Sequence, residues 1–281
     1  MRFARVNLAL TVLILSVSAA SAESQVAPAP APLSYADLAD LSLETPIVAQ
    51  VRIAEASRLK PAEAPGLPAG RTRFYVRADV ISLIRGPGEM PARVSYLADL
   101  PNEVGGRPPR LRNKEERLVF AAPVPGRPGE LRLVGPDAQI ALPPADQQRL
   151  RAVLREAAAP HAAPRISGIG KAFHVPGSLP GESETQVFLL ASDNRPLSLS
   201  ILRRPGEAPR WSVALSEIVD EAAEPPARDT LLWYRLACGL PRWLPPQSLA
   251  ELDPAGAAAV QADYQFVLRS LGPCTRTRRR A

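Results

Sequence analysis

Few residues in this 281-residue chain offer chemistry. There are two cysteines, Cys238 and Cys274, and two histidines, His161 and His174. A nucleophilic cysteine needs a base beside it to form the thiolate, most often a histidine. His174 could fill that role for Cys238, but no local signature joins them. Zinc wants three or four Cys, His or carboxylate ligands at characteristic spacing, and the chain has neither HExxH nor CxxC. Gly168-Ile169-Gly170-Lys171 invites a phosphate-loop reading, yet that loop needs glycine where Arg165 stands and Ser or Thr where Ala172 stands. The dinucleotide pattern fails at Phe173. No G-x-S-x-G marks a serine nucleophile, and Ser178, Ser183 and Ser216 read as ordinary loop or strand serines. In SEIVDEAAEPP, beside Asp220 and Glu224, Glu217 and Glu221 would share a helical face. Buried together, they could split their pKa values and carry acid–base chemistry; in water they form a solvated turn. No catalytic, cofactor-binding or metal-ligating residue is assigned, and no cofactor is expected.

The amino terminus names a compartment. Arg2 and Arg5 precede an apolar run from Val6 to about Val17, and Ala20-Ser21-Ala22 closes it with an A-x-A pattern. Residues 1–22 read as a secretory signal cleaved between Ala22 and Glu23. The run is about 12 residues, short of the roughly 20 that span a bilayer. The mature chain is expected to be soluble, periplasmic or secreted, without a transmembrane segment. Two cysteines in an oxidising compartment have one possible pairing, so a Cys238–Cys274 disulfide is expected. It would stabilise the fold by about 4 kcal/mol on the chain-entropy model.

Charge excludes one class of partner. The chain carries 34 basic and 28 acidic residues, and all the basic residues except Lys60, Lys114 and Lys171 are arginine, in keeping with a GC-rich coding bias. Nucleic-acid binding wants a dense basic stripe with stacking aromatics; aromatics are 5%, and no nucleic-acid partner is expected. Arg276, Arg278, Arg279 and Arg280 make residues 276–281 a basic tail, read as a frayed, solvated end rather than a lipid contact. Asp99 to Glu116, with Glu103, Arg107, Arg110 and Arg112, reads as a long loop, either a binding lip or a mobile one.

Residues 23–33 are a Pro/Ala spacer that cannot build a core. After it Ser34 can cap a helix over Tyr35–Leu41. Five strand-like runs follow: Pro46–Ile53, Thr72–Ile84, Ala92–Ala98, Arg117–Val124 and Glu130–Val134. In the second, Phe74, Val76, Ala78 and Val80 alternate with polar neighbours, and the apolar phase then slips to Ile81 and Leu83. A β-bulge near Ile81 would explain the slip and let one strand serve two halves of a barrel. Pro144–Ala159 has the stripe of a closing helix, and Pro160–Pro164 ends residues 34–159 as one domain. A second, 165–275, reads as strands Ile166–Val175, Thr185–Ser192, Leu197–Arg203 and Arg210–Ser216. The last three should form an antiparallel meander. Helices Asp229–Cys238 and Pro254–Leu271 follow, with Asp229 and Asp253 as caps, Gly239 after the first and Gly272-Pro273 as the stop of the second. Leu231, Leu232, Tyr234 and Leu236 should face Val260, Tyr264 and Val267.

The helix, the IVAQVRI and FYVRADVISLIRG strands and the later RLVFAAPV strand together resemble the OB fold in its netrin-like form, over about Tyr35 to Pro143. The resemblance implies a five-stranded barrel. Netrin-like inhibitors chelate a protease metal through an amino-terminal cysteine, which is missing here, so that activity is not implied. The whole chain also resembles uncharacterised exported bacterial proteins. The fold expected is α+β: an OB-like five-stranded barrel, then an antiparallel meander with two C-terminal helices. The function expected is non-enzymatic binding of a protein or other envelope component, the alternative being a hydrolase using the carboxylate pair. Trp211 and Trp243 suit a binding patch or, more readily, core packing.

Overall fold

The computed structural model describes residues 33–136, 138–141, 143–215 and 224–278. The signal segment with its Ala22–Glu23 junction, the spacer up to residue 32, Ser216, Glu217, Asp220, Glu221, Arg279 and Arg280 lie outside the described residues.

Helix α1, Tyr35–Leu43, opens on a capping box in which Ser34 Oγ accepts from Asp37 N and the Asp37 carboxylate accepts from Ser34 N. Strands β1 (Ile47–Arg58), β2 (Arg71–Arg85), β3 (Arg93–Pro101), β4 (Glu116–Pro123) and β5 (Glu130–Leu133) follow. β1 pairs with both β2 and β4, so the order β1-β2-β3-β5-β4 closes on itself as a five-stranded barrel of OB type; only β3 and β5 run parallel. Alternation puts Phe74, Val76 and Ala78 of β2 inside, against Val51, Val94, Ala98 and Val119. The register with β1 jumps from Gln50↔Ser82 to Val51↔Val80, which leaves Ile81 bulged and exposed. A further slip lies near Ile84 and another near Ala54. These bulges coil the two longest strands enough to close the barrel. A short strand that the sequence pattern does not signal, β6 (Gln139–Ala141), pairs with β4 along the edge it shares with β5, opposite β1. There the buried Tyr96 hydroxyl meets Gln139.

Helix α2, Pro144–Ala158, leads to β7 (Ile166–Pro176), β8 (Ser183–Ala191), β9 (Leu197–Arg203) and β10 (Arg210–Ala214), a four-stranded antiparallel meander. One face, with Val187, Leu189, Leu199, Ile201, Trp211 and Val213, is covered by helices α3 (Leu231–Gly239) and α4 (Pro254–Leu271). Tyr35 and Ala39 of α1 and Val153 of α2 join that core, while Leu41 and Leu150 of the same helices join Val48, Leu118 and Phe120 of the barrel. The two helices therefore belong to both cores.

Helix α4 begins and ends where its sequence signals stand: Asp253 accepts from Gly256 N and Gly272 closes it at φ 70°. At α3 the cap is Thr230, whose Oγ1 accepts from Trp233 N, and not Asp229, which takes φ 59° one residue earlier. Gly239 is still helical and Leu240 is the C-cap. Trp233 and Leu236 carry the contact with Val260, Tyr264 and Val267, with Leu232 and Tyr234 half-buried around them. Cys238 and Cys274 are disulfide-bonded, their Cα atoms 5.2 Å apart. Among the described residues no helix is long and apolar enough to cross a membrane.

Candidate functional site

Several residues with chemistry to offer serve the fold. Cys238 is bonded and holds no thiol. His174, on β7, lies with Nδ1 2.9 Å from Thr185 Oγ1, and Thr185 donates at 2.5 Å to Asp263 Oδ2. Asp263, on α4, is 1% exposed and also accepts from Arg203 Nε at 2.6 Å. A carboxylate can only accept, so the Thr185 proton points to Asp263 and His174 Nδ1 donates to Thr185. That chain stitches the meander to α4. Gly168 and Gly170 sit mid-strand beneath Leu190 and Phe188, and Lys171 pairs with Glu251. No group of metal-ligating side chains occurs among the described residues. The carboxylate pair Glu217 and Glu221 falls outside them.

The basic tail is docked as far as it is described. Asp37, 1% exposed, accepts from Thr277 N at 2.9 Å, Thr277 Oγ1 at 2.6 Å and Arg278 N at 3.2 Å. Arg276 Nε donates to Asp40 at 2.6 Å, and Asp40 also accepts from the Tyr234 hydroxyl. Burial pushes the Asp37 carboxyl up, but the hydrogen bonds from Thr277 and Ser34 outweigh it and hold it below its ordinary range. The disulfide at Cys274 leads into this spot, so residues 276–278 are held against α1 and are not a frayed end.

One surface feature has the form of a ligand site. A groove of about 780 Å³ crosses the outside of β2, β3 and β5, between the loop at residues 59–70 and the loop at 124–129. In OB barrels the face of strands 2 and 3 and these two loops bind ligands. Its floor is set by alternation: the β2 residues that do not enter the barrel core, Arg73 and Tyr75, lie opposite Asp99 and Leu97 of β3. Tyr75 is 40% and Leu97 48% exposed, an aromatic–aliphatic pair open to solvent. Arg73 grips Asp99 through Nε at 2.6 Å and a second nitrogen at 2.7 Å, and its third nitrogen donates to Pro65 O at 3.1 Å, which ties the 59–70 loop to the floor. The Asp99 hydrogen bonds raise the arginine's pKa further. At the far end Arg127 pairs with Glu130 at 3.2 Å, while Arg132 has no acidic partner among the described residues.

Among its described lining residues the groove has no histidine, no cysteine and no unpaired carboxylate. It offers apolar contact, fixed dipoles and, in Arg132, a guanidinium outside any ion pair. Asp99 had read as a loop residue; β3 runs on to Pro101 and makes it part of the floor. Tyr75 and Arg73 were visible as the polar half of an alternating strand, but nothing local said that this half lines a groove. Trp211 is buried and donates to Ser270, whereas Trp243 is 65% exposed, outside the core packing expected of it. No protein-family model and no curated protein matches the chain.

Proposed function

We propose that this chain is an exported, non-enzymatic binding protein of the cell envelope, periplasmic or secreted, and that the barrel groove takes an extended segment of a protein or another envelope component. The observation that carries this reading is the exposed Tyr75–Leu97 pair between two loops, in a groove whose carboxylates are already neutralised by arginine. An enzyme needs convergent groups free to exchange protons or attack; a binder needs open apolar surface with a few polar anchors. The signal-like first 22 residues and the Cys238–Cys274 crosslink support export to an oxidising compartment. The netrin-like likeness enters as a likeness of barrel form alone, since both cysteines are committed to each other far from the amino terminus.

The test is capture from envelope extract by the mature protein beside a Tyr75→Ala/Leu97→Ala variant. An envelope component retained by the wild type and lost by the variant is the expected result. Equal retention by both, or turnover of an envelope substrate by the wild type, overturns the proposal.

A further inference from the structure

One end of the barrel is rich in cations. Residues 58–71 and 102–115 contain seven basic residues (Arg58, Lys60, Arg71, Arg107, Arg110, Arg112, Lys114) and three acidic ones (Glu63, Glu103, Glu115), a net of +4. The fold brings the two segments together. They join β1 to β2 and β3 to β4 at the same end of the barrel, where Asn102 N donates to Gly70 O at 2.8 Å; Lys114 N donates to Ile53 O, within β1, at 2.7 Å. Ion pairs engage arginines or lysine at twelve sites elsewhere among the described residues, and none of these seven takes part in one. All but Arg71 are exposed.

The second segment also holds an apolar side chain outward. Gly106 N donates to Glu103 O at 3.0 Å, closing a turn with Val104 at its apex; Gly105 and Gly106 both take positive φ, which a side chain would resist. Val104 is 96% exposed. A valine so presented, on a loop with Arg107, Arg110, Arg112 and Lys114 outside any ion pair, matches an anionic bilayer surface: headgroup phosphates meet the cations and the tip enters the interface. Stacking polymers such as single-stranded nucleic acid want aromatic platforms, and neither segment contains an aromatic residue. None of the seven cations lines the groove across β2, β3 and β5. We propose that this end of the barrel docks the protein onto an anionic lipid surface, leaving the groove free for its own ligand.

The test is co-sedimentation of the mature protein with phosphatidylcholine vesicles, with and without about a third of phosphatidylglycerol. The expected outcome is at least a tenfold higher bound fraction per lipid on the anionic vesicles, lost when salt shortens the Debye length to about 3 Å at 1 M. Arg107→Glu/Arg110→Glu/Arg112→Glu should abolish the preference, and Val104→Asp should weaken it several-fold. The control Arg127→Glu/Arg132→Glu, in the groove, should leave it unchanged. Circular dichroism of each variant confirms that the fold is retained. Equal binding to neutral and anionic vesicles overturns the proposal, as does an equal loss in the groove control. Salt-sensitive retention by a soluble sulfated polysaccharide without vesicle binding overturns it too. Failure here leaves the groove proposal standing, because the two surfaces share no tested residue.

Discussion

The barrel and the meander solve the same problem of burying a sheet in opposite ways. The barrel closes on itself, so its strands supply both walls of its core and leave its loops under little structural demand. The meander is open and must recruit α3, α4 and parts of α1 and α2 to cover one face. That recruitment puts the disulfide, the Asp263 network and the clasp of the tail by Asp37 on the C-terminal side, while the barrel is laced by ion pairs between its own strands, such as Arg73–Asp99 and Arg52–Glu116. On the reading proposed here the barrel-end loops and the groove serve recognition, while the Asp263 network and the Asp37 clasp hold α4 and the tail in place.

If that division is right, substitutions should divide in the same way. The largest effect is expected from Asp263→Ala, which leaves buried Thr185 without its acceptor and the partly exposed Arg203 without its partner; a loss of roughly 3–4 kcal/mol should appear in denaturant unfolding. Cys238→Ser/Cys274→Ser comes next, at about 2–4 kcal/mol. Hydrogen exchange should show the loss in α3 and the tail, with barrel strands still protected. Early loss of β1 and β2 protection would erase the distinction between the regions.

Asp37→Asn should cost roughly 2–3 kcal/mol at neutral pH, since it weakens charge-assisted hydrogen bonds to the tail. The acid limb gives a sharper readout. The Asp37 carboxyl lies below its ordinary value of 3.8 when folded, so its contribution is fully present above that value and is lost as pH falls through the lowered one. The variant should flatten that part of the stability–pH curve. Thr230→Ala should cost about 1 kcal/mol through the α3 cap, whereas Asp229→Ala should show no cap loss. The smallest effect on stability, within about 0.5 kcal/mol, is expected for Tyr75→Ala/Leu97→Ala, the variant that should abolish ligand capture. A large stability loss there would assign the pair to the fold instead.

Much of this was legible along the chain. The five barrel strands and the bulge at Ile81 follow from period-two alternation and its slip, and α4 follows from Asp253-Pro254 and Gly272-Pro273. The disulfide partner follows from there being two cysteines. Less legible were features decided at a distance. β6 is three residues long and is held by its pairing with β4, too short for a periodic signal. Asp229 and Thr230 are both acceptable caps locally; α3 starts after Thr230, where Leu231 N donates to Glu156 of α2, 75 residues away, and Asp229 takes a positive φ. Asp99 was placed in a loop because its strand's later residues lack strong alternation, and only Arg73 across the sheet shows that the strand continues. The tail read as a cationic fringe because its acceptors, Asp37 and Asp40, lie some 240 residues earlier.

By itself the sequence determined most of the elements, their class and the crosslink, because periodicity, caps, turns and cysteine number act over a few residues or admit one answer. The tertiary structure decided which outward faces meet: the groove of Tyr75 and Leu97, the cationic end built from two loops about 40 residues apart, and the clasp on the tail. Those arise from barrel closure and helix sharing, and such long-range contacts leave no local pattern to read.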